Sequence, residues 1–404
     1  MWNSSLAEPK PAGAHPKQAT FLELFFDLVF VFALTRIVAR AYENLAIEPG
    51  GSALSRALPG AGKTLLLLLA LYALWQGTAW TTSRYDPDST AIQVVVMVAL
   101  GAGLVMGVTI PRAFTGYAEA FAFAYVIGHL TRPLVLLLAL RDRQRRLLKV
   151  RMLITYCATG VLWIVGGIIN GLSLIPLWIL ALGVEYAAGR FGWPTPRLGR
   201  STISRWDIAG EHLAERYHQF FLIALGETIL VIGLTYSTGP FDRDHTAAFA
   251  AAAFTSVLLW RIYFYRAGHI LSEAITKSSN PAHLARSAAN SHLVMIIGVV
   301  VTALGYEITI EDPFGHAPPT WIAPILLGPA LFIAGRARFE YEVFGRVSRA
   351  RVVTLIALIL PYPALLPAPP LAATIVTAVV LAGAAAADAR RAWNLPPEPA
   401  KPPI

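Results

Sequence analysis

Charged residues are scarce in this sequence. Asp, Glu, Lys and Arg together make up 14% of its 404 positions, whereas an ordinary soluble domain is about one quarter charged. So few charges cannot cover a water-facing surface, which excludes a soluble globular domain. Cysteine is scarcer still. Cys157 stands alone, so no intramolecular disulfide can form and the redox compartment cannot be read from it. It reads as a small packing residue within an apolar span. An HExxH pair, a Cys/His cluster and a glycine-rich phosphate loop are all missing, so no metal or cofactor is expected. The sequence singles out no nucleophile with a base beside it, so the first reading is a non-enzyme. Residues 1–19 (MWNSSLAEPKPAGAHPKQA) contain no apolar stretch of the signal-peptide kind, and the first apolar run is expected to stay in the protein.

What the sequence does have is hydrophobic length. Apolar residues reach 56% and the mean hydropathy is +0.56. A helix needs about 20 mostly apolar residues to cross a bilayer. Runs of that kind lie near 21–42, 64–83, 91–110, 114–140, 152–170 and 172–189, then near 213–236, 246–265, 290–309, 320–335, 352–367 and 371–389. The fold class expected is all-α, a polytopic membrane helix bundle of about 12 transmembrane helices with the lipid bilayer as its main partner. The halves are expected at 20–210 and 211–394, with Pro-rich disordered tails at 1–19 and 395–404.

Basic residues collect on the cytoplasmic side of membrane proteins. With both termini inside, 24 of the 33 Lys and Arg fall in inward segments and four (Arg56, Lys63, Arg112, Arg243) in outward loops. The net charge of +9 is therefore read as topology rather than nucleic-acid binding. The run RDRQRRLLKVR at 141–151 is read as a cytoplasmic loop against anionic lipid.

Weak internal symmetry accompanies this pattern. At an offset of 192, Glu23 aligns with Glu215, Asp27 with Gln219 and Thr35 with Glu227. Leu74–Trp75 also resembles Leu259–Trp260. Residue identity is thin, and a six-plus-six duplication stays open. A duplication would make the repeats parallel, with a transport site between the halves.

The embedded charges matter most, because a charge in hydrocarbon is costly and usually has a task. In FLELFFDLVFVFALTRI (21–37), Thr20 and Glu23 fit the S/T-x-x-E capping box. Asp27 lies too deep to cap, about 40° around the helix from Glu23, and needs a cation. Arg132, in GHLTRP, is the expected partner. The stretch EHLAERYHQFFLIALGETILVIG (211–233) brings His212, Glu215, Arg216 and His218, then Glu227 about 15 Å beyond Tyr217. Gly226 beside Glu227 would permit close helix approach. Glu119 and Glu185 read as interfacial. His212 and His218 are spaced to point apart, against a metal or haem pair.

TFLELFFDLVFVFAL and HLAERYHQFFLIALGETIL together resemble the bacterial low temperature requirement A family of polytopic membrane proteins. Glu23, Phe25, Phe26 and Asp27 match the first motif, and His212, Glu215, Arg216, Gly226 and Glu227 the second. Tyr217, His218, Gln219 and Arg36 depart from it. The resemblance implies a multi-pass inner-membrane protein and supplies no substrate or reaction. The functional expectation is a secondary transporter whose carboxylates, Glu227 foremost and Asp27 next, bind or relay a proton or cation for a small solute. Glu23, Glu215 and His212 join this candidate set, and Arg132 and Arg216 would orient the acids. Two competing classes stay open: a noncatalytic membrane protein supporting the envelope in the cold, and a membrane-embedded enzyme.

Overall fold

A computed structural model describes residues 18–46, 53–201, 210–265, 270–315, 318–394, 396 and 398–403. Among them the chain is helical, and its one β-type pairing is an isolated bridge between Thr195 and Gly199. The helices are α1 (Phe21–Ala46), α2 (Ala53–Thr82), α3 (Thr90–Thr109), α4 (Ala118–Ala139), α5 (Arg143–Ile169), α6 (Leu174–Phe191) and α7 (Gly210–Thr238). They continue with α8 (Arg243–Phe264), α9 (Ile270–Lys277), α10 (Pro281–Glu311), α11 (Pro319–Phe344), α12 (Arg349–Ile359), α13 (Tyr362–Leu365) and α14 (Pro370–Ala392).

Local chemistry sets several boundaries. Asp142 caps α5 by accepting from the Arg145 N–H at 2.7 Å, and Asp242 caps α8 by accepting from the Asp244 and His245 N–H groups. Gly192 and Gly345 end α6 and α11 with φ of 78° and 67°, left-handed values that glycine adopts without strain.

Ten helices among the described residues are long and apolar enough to cross a membrane: α2 to α8, α10, α11 and α14. Two of the twelve expected spans differ. Helix α1 has 26 residues, but any eighteen in a row carry at least three charges. The span expected at 352–367 is broken: α12 has 11 residues, about 16 Å of helix against a hydrocarbon core of about 30 Å. Pro361 and Pro363, which lack the N–H that a continuing helix needs, stop it. The outer faces of the long helices are apolar, with Leu104, Val108, Ile127, Ile168, Val257 and Val379 all exposed. Buried positions include many polar groups. That inversion of a soluble protein fits a hydrocarbon surround.

The chain forms two compact units: residues 1–36 with 63–216, and residues 37–62 with 217–404. In the first unit, α1 runs close to α3, where a Cβ on Gly107 would lie 3.0 Å from the Phe32 ring. The core there is aromatic: Trp163 lies 4.2 Å from Tyr125 and 4.8 Å from Trp178, ring to ring. In the second unit, α10 and α11 touch backbone to backbone. A Cβ on Gly298 would meet Phe332 N at 2.4 Å, and one on Gly328 would meet Thr302 N at 2.4 Å. Gly305 and Gly335 repeat the contact one heptad further along each helix, against Ile325 and Met295.

Within the tail expected at 395–404, the described residues 398–403 lie against α11. Lys401 N–H donates to Val343 O at 2.9 Å, Arg346 grips both Glu398 oxygens, and Ala400 is buried. The tail expected at 1–19 lies outside the described residues but for 18 and 19.

Candidate functional site

The first unit buries a network of four ionisable side chains drawn from α1 and α7. Thr20 starts α1 and Glu23 closes the capping box, accepting from the Thr20 N–H at 2.9 Å and from its hydroxyl at 3.1 Å. One turn deeper on the same stripe, Asp27 faces Arg216. The guanidinium donates from Nη1 to Oδ2 at 2.8 Å and from Nη2 to Oδ1 at 2.7 Å, a bidentate fork. Trp75 on α2 donates its Nε1–H to Asp27 Oδ1 at 2.9 Å, and its ring lies under Arg216 at 5.9 Å.

His212, one turn before Arg216 on α7, joins the two carboxylates' surroundings. Its Nε2 lies 3.3 Å from Glu23 Oε2 and its Nδ1 lies 2.9 Å from the Ser83 hydroxyl. Arg216 Nε comes within 3.5 Å of Glu23 Oε1. Water does not reach the group: Glu23 and Arg216 are 0% exposed, His212 1% and Asp27 2%.

The charges do not cancel. Two ionised carboxylates surround one guanidinium, which leaves one negative charge in a medium that penalises it. A single proton, on His212 or on a carboxylate, neutralises the set. Ser83 fits either state of His212, since its hydroxyl can donate to a bare Nδ1 or accept from a protonated one. Chemically, the arrangement can hold and release one proton.

Arg132 is not the partner of Asp27. Its Nη2 donates to the Tyr156 hydroxyl at 2.7 Å, and its guanidinium lies against Gly77. Helical spacing gives the depth and face of Asp27, but not which helix delivers the cation. Glu215 is half-buried beside Arg216. Glu227 is fully buried in the second unit, where its neighbour Thr228 meets Ser256 of α8 at 2.9 Å. Gly226 does not serve close approach, because a Cβ there would meet nothing within 4 Å. His218 packs edge-on to Tyr263, in keeping with the divergence from His212 expected of their spacing. Among the described residues no group of three or more His, Cys, Asp or Glu could hold a metal.

Glu185 was missed by sequence reasoning. It is buried, accepts from the Tyr125 hydroxyl and takes the Trp163 Nε1–H at 3.2 Å. Its position near the end of α6 suggested an interfacial site. Glu119, read the same way, is exposed.

The chain matches the family model described as bacterial low temperature requirement A protein over residues 18–386. It is also similar to the uncharacterized protein RA0937 of Rhizobium meliloti (strain 1021), with 31% identity over 322 residues, 79% of this chain and 76% of that protein. No solved structure matches.

Proposed function

The chain belongs to the bacterial low temperature requirement A family, and from that premise we propose that it is a secondary transporter coupling movement of a small solute to a proton. The observation that carries this reading is the buried Glu23–Asp27–His212–Arg216 network, which lacks one positive charge and places His212 between an acid and a rotatable hydroxyl. Buried ionisable groups in spanning segments commonly mark proton relays. Glu227, buried in the second unit, is a further candidate carboxylate. In the proposed orientation the basic stretches at 141–151, which begins α5, and at 336–351, which ends α11 and begins α12, face the cytoplasm of an inner membrane.

The test uses the full chain in liposomes containing a pH-sensitive dye, challenged with a panel of small solutes under an imposed proton gradient. We expect at least one solute to accelerate proton entry, and Glu23→Gln and His212→Gln each to slow that entry at least tenfold while the protein remains folded. Absence of solute-linked proton movement across the panel, or full flux in both variants, would overturn the proposal.

One observation favours a second reading, a noncatalytic membrane protein. Asp27 is fully satisfied by Arg216 and Trp75, as a structural staple would be. In that case the same variants lower the unfolding temperature and no solute moves protons.

A further inference from the structure

The first unit buries one more acid, away from the α1–α7 network. Glu185 stands about 16 Å along α6 from Leu174, in a helix long and apolar enough to span, and is buried. Its two carboxyl oxygens face different chemistry. Oε1 takes the Trp163 Nε1–H at 3.2 Å, and an indole nitrogen can only donate. Oε2 takes the Tyr125 hydroxyl, and a phenol can donate or accept. Oε1 is therefore fixed as an acceptor, while Oε2 suits its partner whether bare or protonated.

The surroundings hold this asymmetry in place. The Tyr125 ring lies 4.2 Å from Trp163 and 4.1 Å from His129, and His129 is bonded through Nδ1 to Tyr125 O at 3.0 Å. Trp178 donates its Nε1–H to Trp163 O at 3.0 Å, which steadies the indole-bearing turn of α5. Tyr186, next to Glu185 on α6, is turned toward α2 and donates to Leu69 O at 3.1 Å.

The charged and titratable groups around Glu185 are Tyr125, His129 and Arg132 of α4, Tyr156 of α5 and Tyr186 of α6. Arg132 bears on the carboxyl electrostatically while its Nη2 donates to the Tyr156 hydroxyl at 2.7 Å. Two influences thus oppose each other. Burial favours the neutral acid, whereas Arg132 and the donors favour the carboxylate. Each form has its own support, and ionisable groups placed this deep in spanning helices commonly carry protons. We infer that Glu185 is a second proton-binding site, with Oε2 the atom that takes the proton and Tyr125 the positioning residue whose hydroxyl turns to match. The site shares no residue with the Glu23–Asp27–His212–Arg216 network and stands whether or not the chain moves a solute.

The experiment is infrared difference spectroscopy of the purified full chain in detergent, titrated across the pH range in which it stays folded. The expected result is a carboxylic-acid C=O band that fades as pH rises, moves to lower frequency in heavy water as the proton exchanges, and is missing from Glu185→Gln. Tyr125→Phe keeps the acid but removes the bond at Oε2, so the band should persist at higher frequency. That variant carries the test if Glu185→Gln does not fold. Glu23→Gln and His212→Gln should leave this band in place, which separates it from the α1–α7 network. Absence of such a band would mean a permanent carboxylate, and a band indifferent to pH or heavy water would mean a locked structural acid. Either result overturns the inference, as does an unshifted band in Tyr125→Phe.

Discussion

Arg216 and Asp27 meet fork to fork across 189 residues of sequence, with both nitrogen–oxygen distances below 3 Å and no exposure to solvent beyond 2%. Removing one member of such a pair strands the other in a low-dielectric interior, which is worse than removing both. Arg216→Met should therefore cost about 3–5 kcal/mol of stability, and the double variant Asp27→Asn/Arg216→Met should recover part of that loss. Unfolding of the variants in detergent is the measurement. Equal losses in the single and double variants would show that the pair itself is not what matters.

The glycines of α10 and α11 allow a sharper contrast. Gly328→Ala must push a Cβ into backbone at Thr302, and the expected cost is about 1–3 kcal/mol, the range for an overpacked interior. Gly226→Ala meets open space and should be neutral or stabilising by up to about 1 kcal/mol through helix propensity. Comparing the two unfolding curves tests the packing directly.

Asp242 supplies a pH-dependent cap. The His245 N–H and imidazole, with the Asp244 N–H, hold its carboxyl below the ordinary value. A depressed acid stabilises the folded state above its unfolded pKa of about 3.9 and loses that contribution as pH falls through its lower folded value. The difference in unfolding temperature between the parent and Asp242→Ala should be constant near neutrality and shrink only below about pH 4. A difference that vanishes already at pH 6 would contradict the assignment.

The docked end of the chain should respond differently from the buried pairs. Arg346 and Glu398 are both exposed, so Arg346→Ala should change stability by less than about 1 kcal/mol. The backbone bond from Lys401 to Val343 should still hold the segment. Limited proteolysis should therefore cut residues 396–403 only slightly faster in the variant. Immediate loss of the segment would mean that the ion pair is its main anchor.

Much of the fold was legible because lipid imposes a simple rule: a crossing helix must be long and apolar, and ten of the expected spans obey it. The span at 352–367 escaped because hydropathy does not register the missing N–H groups of Pro361 and Pro363. At the site, the Thr20–Glu23 box was readable from spacing alone, since both partners lie in one turn. The need of Asp27 for a cation was also readable. Arg216 as that cation was not, because periodicity describes one helix at a time and is silent on which helices touch. Glu185 was misjudged for a related reason: distance from a helix end says little when neighbouring helices bury it with Tyr125 and Trp163.

The glycine contacts of α10 and α11 have a mechanical consequence. With main chain resting on main chain at Gly298 and Gly328, there is no cushion of side chains that could re-pick rotamers and let one rod slide past the other. Whatever motion the second unit performs, this hairpin has to swing as a single lever, and the flexing must be taken up at its ends.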